Sequence, residues 1–205
     1  MRAADGAVDG GEDVTVASTV PDLQRIAIKI FAADATAPVL EPAVPVFHRW
    51  IQERRAPGIL VDVADYGHLP QSPGVVLVSH EANIALDGTE GPLGLLYTRK
   101  TPLGGALPDR VRSVLRSALE ACAMLEAEPE FKGTLRFRTD EILLLSNDRL
   151  AAPNSEEAFA SMRPALESVF GGKAAFTRDA SDPRRRLTIR IAPASDRAGL
   201  LARLA

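Results

Sequence analysis

Pro45-Val-Phe-His-Arg-Trp-Ile-Gln52 is followed by Gly58-Ile-Leu-Val-Asp-Val-Ala-Asp-Tyr-Gly-His68, by Gly74-Val-Val-Leu-Val-Ser-His-Glu81 and by Gly94-Leu-Leu-Tyr-Thr-Arg-Lys100, and this run decides the fold class. Its first segment puts Val46, Phe47, Trp50 and Ile51 on one face at helical spacing. It therefore reads as an amphipathic helix over residues 43–55, with Trp50 at the centre of the buried stripe. Pro57-Gly58 stops it. The other three segments are short, rich in β-branched residues and bounded by glycine and proline, so they read as strands over 58–66, 74–81 and 93–100. The turns between them, at 67–73 and at Asp87-Gly88 with Gly91-Pro92, favour antiparallel pairing over crossovers.

Outward from this run, residues 24–32 alternate. Ile26, Ile28 and Ile30 face one way and Lys29 and Phe31 the other, the pattern of a half-buried strand. Residues 33–42 read as a loop with two prolines. The longest helix spans about 108–128, where Val111, Leu115, Ala118, Cys122 and Leu125 recur in steps of four and three. Proline suits its first turn and Glu128-Pro129 ends it. A strand follows over 135–146. The third helix opens on Asn154 as N-cap with Glu157 three residues on, buries Phe159, Met162, Leu166 and Val169, and closes at Gly171-Gly172. Two last strands cover 174–178 and 186–192. The order β-α-β-β-β-α-β-α-β-β predicts an α+β fold, an antiparallel or mixed sheet with about three helices packed mainly on one face. A dinucleotide-binding fold would need βα alternation and a glycine fingerprint, and neither is present.

The chain has 205 residues and a formal net charge of −3, so it carries no global field for nucleic acid or an anionic membrane. One domain is expected over 23–192. Before it, residues 1–22 are acidic, with a net charge of −4, and read as a disordered tail. After it, 193–205 reads as a tail or a short helix. The single cysteine, Cys122, excludes an internal disulfide and lies on a helical apolar seam, where an inert buried thiol is expected. The acidic start is unlike a signal peptide, and no apolar run approaches the ~18 residues of a membrane span, so a cytoplasmic protein is expected.

The strings Phe47-His-Arg-Trp-Ile-Gln52, Asp62-Val-Ala-Asp-Tyr66, His80-Glu81, Phe137-Arg-Thr-Asp-Glu141 and Asn147-Asp-Arg-Leu150 resemble those of a family of uncharacterised bacterial proteins. The resemblance covers roughly residues 26–192 and implies no activity, cofactor or site residue.

Three groups of residues could carry chemistry. His48, Asp62 and His80, with Asp65, Tyr66, His68 and Glu81 nearby, are of the types that bind zinc or iron and exchange protons. Their spacing matches no metal signature. They would serve a metal-dependent or acid–base enzyme if the β-hairpin register brought them together. Arg178, Arg184, Arg185, Arg186 and Arg190 belong to a C-terminal segment, 173–205, with a net charge of +5, and are the candidates for polyanion or nucleic-acid binding. No aromatic residue interleaves them after Phe176. The stretch Thr98-Arg-Lys-Thr-Pro-Leu-Gly-Gly105 has the composition of a phosphate loop in the wrong order and reads as a strand-to-helix connection. No catalytic set is assembled in the sequence. The leading expectation is thus a binding or protein-interaction module, with an exposed sheet edge or the long helix offering a surface for a homodimer.

Overall fold

The computed structural model describes residues 20–33, 39–69 and 72–204. The tail expected over 1–22 lies outside the described residues up to position 19. Beyond that point the chain is tied down. Asp22 accepts a hydrogen bond from Arg110 and Leu23 is buried.

The chain forms an α+β fold on one eight-stranded antiparallel sheet. Its strands are β1 (Ile26–Ala32), β2 (Leu60–Asp65), β3 (Val75–Ser79), β4 (Ala82–Asp87), β5 (Gly94–Arg99), β6 (Phe137–Ser146), β7 (Ala175–Arg178) and β8 (Thr188–Ala192), in the spatial order β2-β3-β4-β5-β1-β6-β8-β7. Among the described residues there are four α-helices, not about three: α1 (Leu40–Glu53), α2 (Leu107–Ala127), α3 (Glu156–Phe170) and α4 (Arg197–Leu204). Leu200 and Leu204 bury α4 in the main core, where it meets α2 and α3.

β4 is the element that the sequence pattern hides. Residues 74–81 read as one strand, but the chain reverses at His80-Glu81 and returns as β4. Neither residue is a usual turn former. The Ser79 hydroxyl closes the corner instead, donating to the Ala82 carbonyl and accepting from the Ala82 N–H. Only a side chain acting across the turn makes this reversal, so no glycine or proline marks it.

Two ends also differ from the sequence reading. α1 begins at Leu40 and takes in Pro42, which sits in the first turn, where a missing N–H costs nothing. It ends at Arg54 in the left-handed region, φ 52°, ahead of the Pro57-Gly58 corner. For α3 the N-cap is Ser155, whose Oγ accepts from the Ala158 N–H. Asn154 is buried and works outward, donating to the Asp179 and Asp182 carbonyls and so fastening the β7–β8 loop.

One face of the sheet meets the helices. Ile26, Ile28, Ile30, Leu77, Ile84, Leu95, Ile142 and Leu144 share a core with the helix stripes, Trp50 and Cys122 included. Burial pushes the Cys122 thiol well above its ordinary pKa, as suits an inert buried sulfur. The other face carries a second cluster of Ala27, Phe31, Leu143 and Leu145. β1 is therefore buried on both faces rather than half-buried.

α1 is clamped to the end of α2 by carboxylates. Glu128 accepts from Trp50, Arg49 and Arg55, and Glu130 accepts from Arg49. The Arg49 guanidinium holds the Glu130 carboxyl down at about 2, against an ordinary value of 4.5. A depressed folded-state pKa contributes stability that is fully present above about pH 4.5 and is lost as pH falls towards 2. Glu130→Gln should flatten that part of the pH–stability profile, read as melting temperature against pH, and leave the neutral-pH melting temperature within a few degrees.

Candidate functional site

The three residues of the histidine–carboxylate group stand apart. His48 is exposed on α1. Asp62 pairs in register with Val78, whereas its neighbour Val63 pairs with Leu77 and joins the helix-side core. The side chain of Asp62 therefore leaves the opposite face of the sheet from the one on which α1 lies. Asp62 is exposed, and its Oδ1 accepts from the N–H of Val63. His80 is exposed at the tip of the β3–β4 hairpin. The hairpin register pairs Asp62 with Val78, so Asp62 does not come opposite His80. Asp65 accepts from the Gly67 N–H, and Tyr66 and His68 are exposed. Among the described residues no group of three His, Cys, Asp or Glu side chains could hold a metal ion.

The arginines of the C-terminal segment are mostly spoken for. Arg178 pairs with Glu156, Arg185 and Arg186 with Glu90, and Arg190 with Glu141. The acids come from α3, the β4–β5 loop and β6, so the fold itself offsets most of this positive charge. Arg184 is exposed, with no carboxylate within ion-pair distance among the described residues. The strand edges are β2 and β7. Ile59 and Val61 are exposed along the β2 edge, and the bulge falls at Val61.

A different set of residues forms a largely apolar cleft of about 530 Å³ between the sheet and α2. It lies where α1, which packs on β2 and β3, leaves the sheet uncovered beside α2, which packs on β1 and β5. Leu60, Leu77, Ile84 and Tyr97 make its floor. Strand register puts them on one face, since Leu77 pairs with Ile84 and Ile84 with Tyr97. The wall is one stripe of α2, with Ser117, Glu120, Ala121 and Met124 at helical spacing.

Charge enters at the mouth. Glu81 stands on the hairpin tip, and its carboxylate accepts from the Ile59 N–H. That bond holds its carboxyl below the usual range, so Glu81 is ionised at neutral pH and is no proton donor. Gly58, at φ +94°, allows this approach, because a Cβ there would stand 2.5 Å from the Glu81 carboxylate oxygen. Arg99 lies two residues beyond Tyr97 on β5, opposite Ala82, and so on the same face. Its Nε donates to the Thr101 carbonyl. Tyr97 is buried and lines the cleft, and its hydroxyl has no hydrogen-bond partner among the described residues.

An apolar floor with a few polar groups at the mouth is the form of a small-molecule site. No nucleophile–base pair lines it. The sequence reading passed over Tyr97 and Arg99, the latter within the stretch weighed as a phosphate loop. Their i, i+2 spacing at the end of an apolar strand was the available signal. What hid the cleft was β4, which supplies Ala82 and Ile84 to its floor. No protein-family model matches the chain, and no curated protein is significantly similar to it. No helix among the described residues is long and apolar enough to cross a membrane.

Proposed function

We propose that this protein is a binding module that takes a small, largely apolar ligand in the cleft between α2 and strands β3–β5. The observation that carries the reading is the cleft itself: about 530 Å³, floored by Leu60, Leu77, Ile84 and Tyr97, with its charged groups confined to the mouth. Ligand sites of this size and lining bury most of a small molecule's surface, and the transfer of apolar area supplies the affinity. Two further observations favour binding over catalysis. Glu81 is ionised and engaged with the backbone, and none of His48, Asp62 and His80 lines the cleft.

Nile red, a neutral dye that brightens in apolar surroundings, tests the reading. Its fluorescence should rise and saturate on titration with the protein. Ala123 is exposed on α2 and lines the cleft, so Ala123→Trp fills the cavity at a position that tolerates bulk. This variant should keep the melting temperature and reduce dye binding about tenfold or more. Equal binding by the two proteins would place the dye elsewhere and remove the proposal.

A further inference from the structure

Arg99 is distinctive among the arginines. Arg49, Arg110, Arg112, Arg138, Arg178, Arg186 and Arg197 are each at least half-buried, and each is ion-paired. The remaining arginines without a carboxylate within ion-pair distance, among the described residues, are exposed apart from Arg99. Arg99 is half-buried, and only its Nε is engaged, by the Thr101 carbonyl. That single bond fixes the plane of the guanidinium and leaves its two terminal nitrogens unassigned. Glu81 lies within electrostatic reach of Arg99 but not at ion-pair distance, so the partly desolvated guanidinium keeps donors that an anion entering beside it can take.

The neighbouring groups narrow the anion. Tyr97, next on the same face of β5, brings a hydroxyl that has no partner among the described residues and can donate to the same head group. Glu81 and Glu120 line the same cleft and oppose negative charge, the more strongly the more charge a ligand carries. Phosphate-like dianions and dicarboxylates are disfavoured for that reason. A planar carboxylate matches the fork of a guanidinium with two parallel hydrogen bonds.

Resting on the ligand reading above, we infer that the cleft takes an apolar monocarboxylate, its chain on the floor of Leu60, Leu77 and Ile84 and its carboxylate on Arg99 and the Tyr97 hydroxyl. The open donor fork of Arg99 selects this occupant. The floor alone would accept any apolar molecule of the right size, and only Arg99 discriminates among head groups.

The test is displacement of Nile red by three ten-carbon competitors, decanoate, decanol and decylamine, below their aggregation thresholds. Decanoate should displace the dye at a concentration at least about tenfold below decanol, and decylamine should be no better than decanol; tenfold is the scale of one charge-assisted hydrogen bond. Arg99→Gln should raise the decanoate concentration needed about tenfold and leave decanol unchanged. Arg99→Lys, which keeps the charge and loses the fork, should fall between. If Arg99→Gln fails to fold, the ranking of the three competitors on the native protein decides. Equal displacement by decanoate and decanol, or preference for decylamine, overturns the carboxylate assignment while leaving the cleft as a ligand site. Absence of saturable dye binding overturns the ligand reading itself, and the assignment falls with it.

Discussion

Replacing Asp87 by alanine should destabilise the protein by about 3–5 kcal/mol, measured as a fall in the urea unfolding midpoint at unchanged slope. Asp87 and Lys29 form an ion pair with side chains 1% and 0% exposed, at 2.9 Å. Lys29 stands on the sheet face away from the helices, between Leu96 of β5 and Leu143 of β6. Burial pulls its ammonium below the ordinary lysine range, and Asp87 acts against that pull. The loop after β4 completes the shell: the Thr89 carbonyl accepts from Lys29, and the Thr89 hydroxyl donates to Asp87. Glu90, at φ 47°, ties the same loop to Arg185 and Arg186 in the connection between β7 and β8. Without Asp87 the ammonium keeps one carbonyl, in a place that water reaches poorly. A buried charge that loses its partner costs far more than the pair contributes. The double replacement Lys29→Met with Asp87→Ala should therefore recover much of the loss. A cost below about 1 kcal/mol for Asp87→Ala would mean that the loop lifts and lets water reach Lys29.

Trp50→Ala should cost a similar amount, about 3–5 kcal/mol, by the same measurement. Trp50 is fully buried on α1, with the Phe47 ring 5.5 Å away at 55°. Truncation leaves a large void that the surrounding side chains fill only in part. It also removes one donor from Glu128. The Trp50 Nε1 donates to Glu128 Oε1 at 2.6 Å, and that carboxylate is 1% exposed at the end of α2. A carboxylate there is opposed by the negative end of the helix dipole. Three donors from α1 and the residues just after it, Trp50, Arg49 and Arg55, make the position tenable. Trp50→Phe separates the two contributions, since it keeps most of the volume and loses the N–H. It should cost roughly 1–2 kcal/mol. Should Trp50→Phe prove as costly as Trp50→Ala, the hydrogen bond to Glu128 rather than the filled volume would be the dominant contribution.

These two sites, with the cleft, mark where sequence reading stops. Periodicity is a local property, set by the backbone repeat of each element. It therefore located α1, α2 and α3, placed Trp50 on a buried stripe, and assigned seven of the eight strands and the α+β class from residues close to one another in sequence. It failed at β4, because the reversal there carries no glycine or proline and is closed by the Ser79 hydroxyl, which reads equally well as a strand residue. Lys29 also misled, since a lysine in an alternating strand ordinarily points to water. Its partner lies 58 residues on, and only the hairpin loop folded over the sheet brings it near. The arginines of the last segment were legible as a basic run, yet their counter-charges come from Glu90, Glu141 and Glu156, which chain order does not bring near them. Register decided the fate of Asp62 and His80, because the hairpin pairs Asp62 with Val78 and turns its side chain away from the face on which α1 carries His48. Charges, registers and cavities are relations between distant segments, so composition and spacing supplied the elements and the Tyr97–Arg99 neighbourhood, and tertiary packing alone set that pair at an apolar cleft.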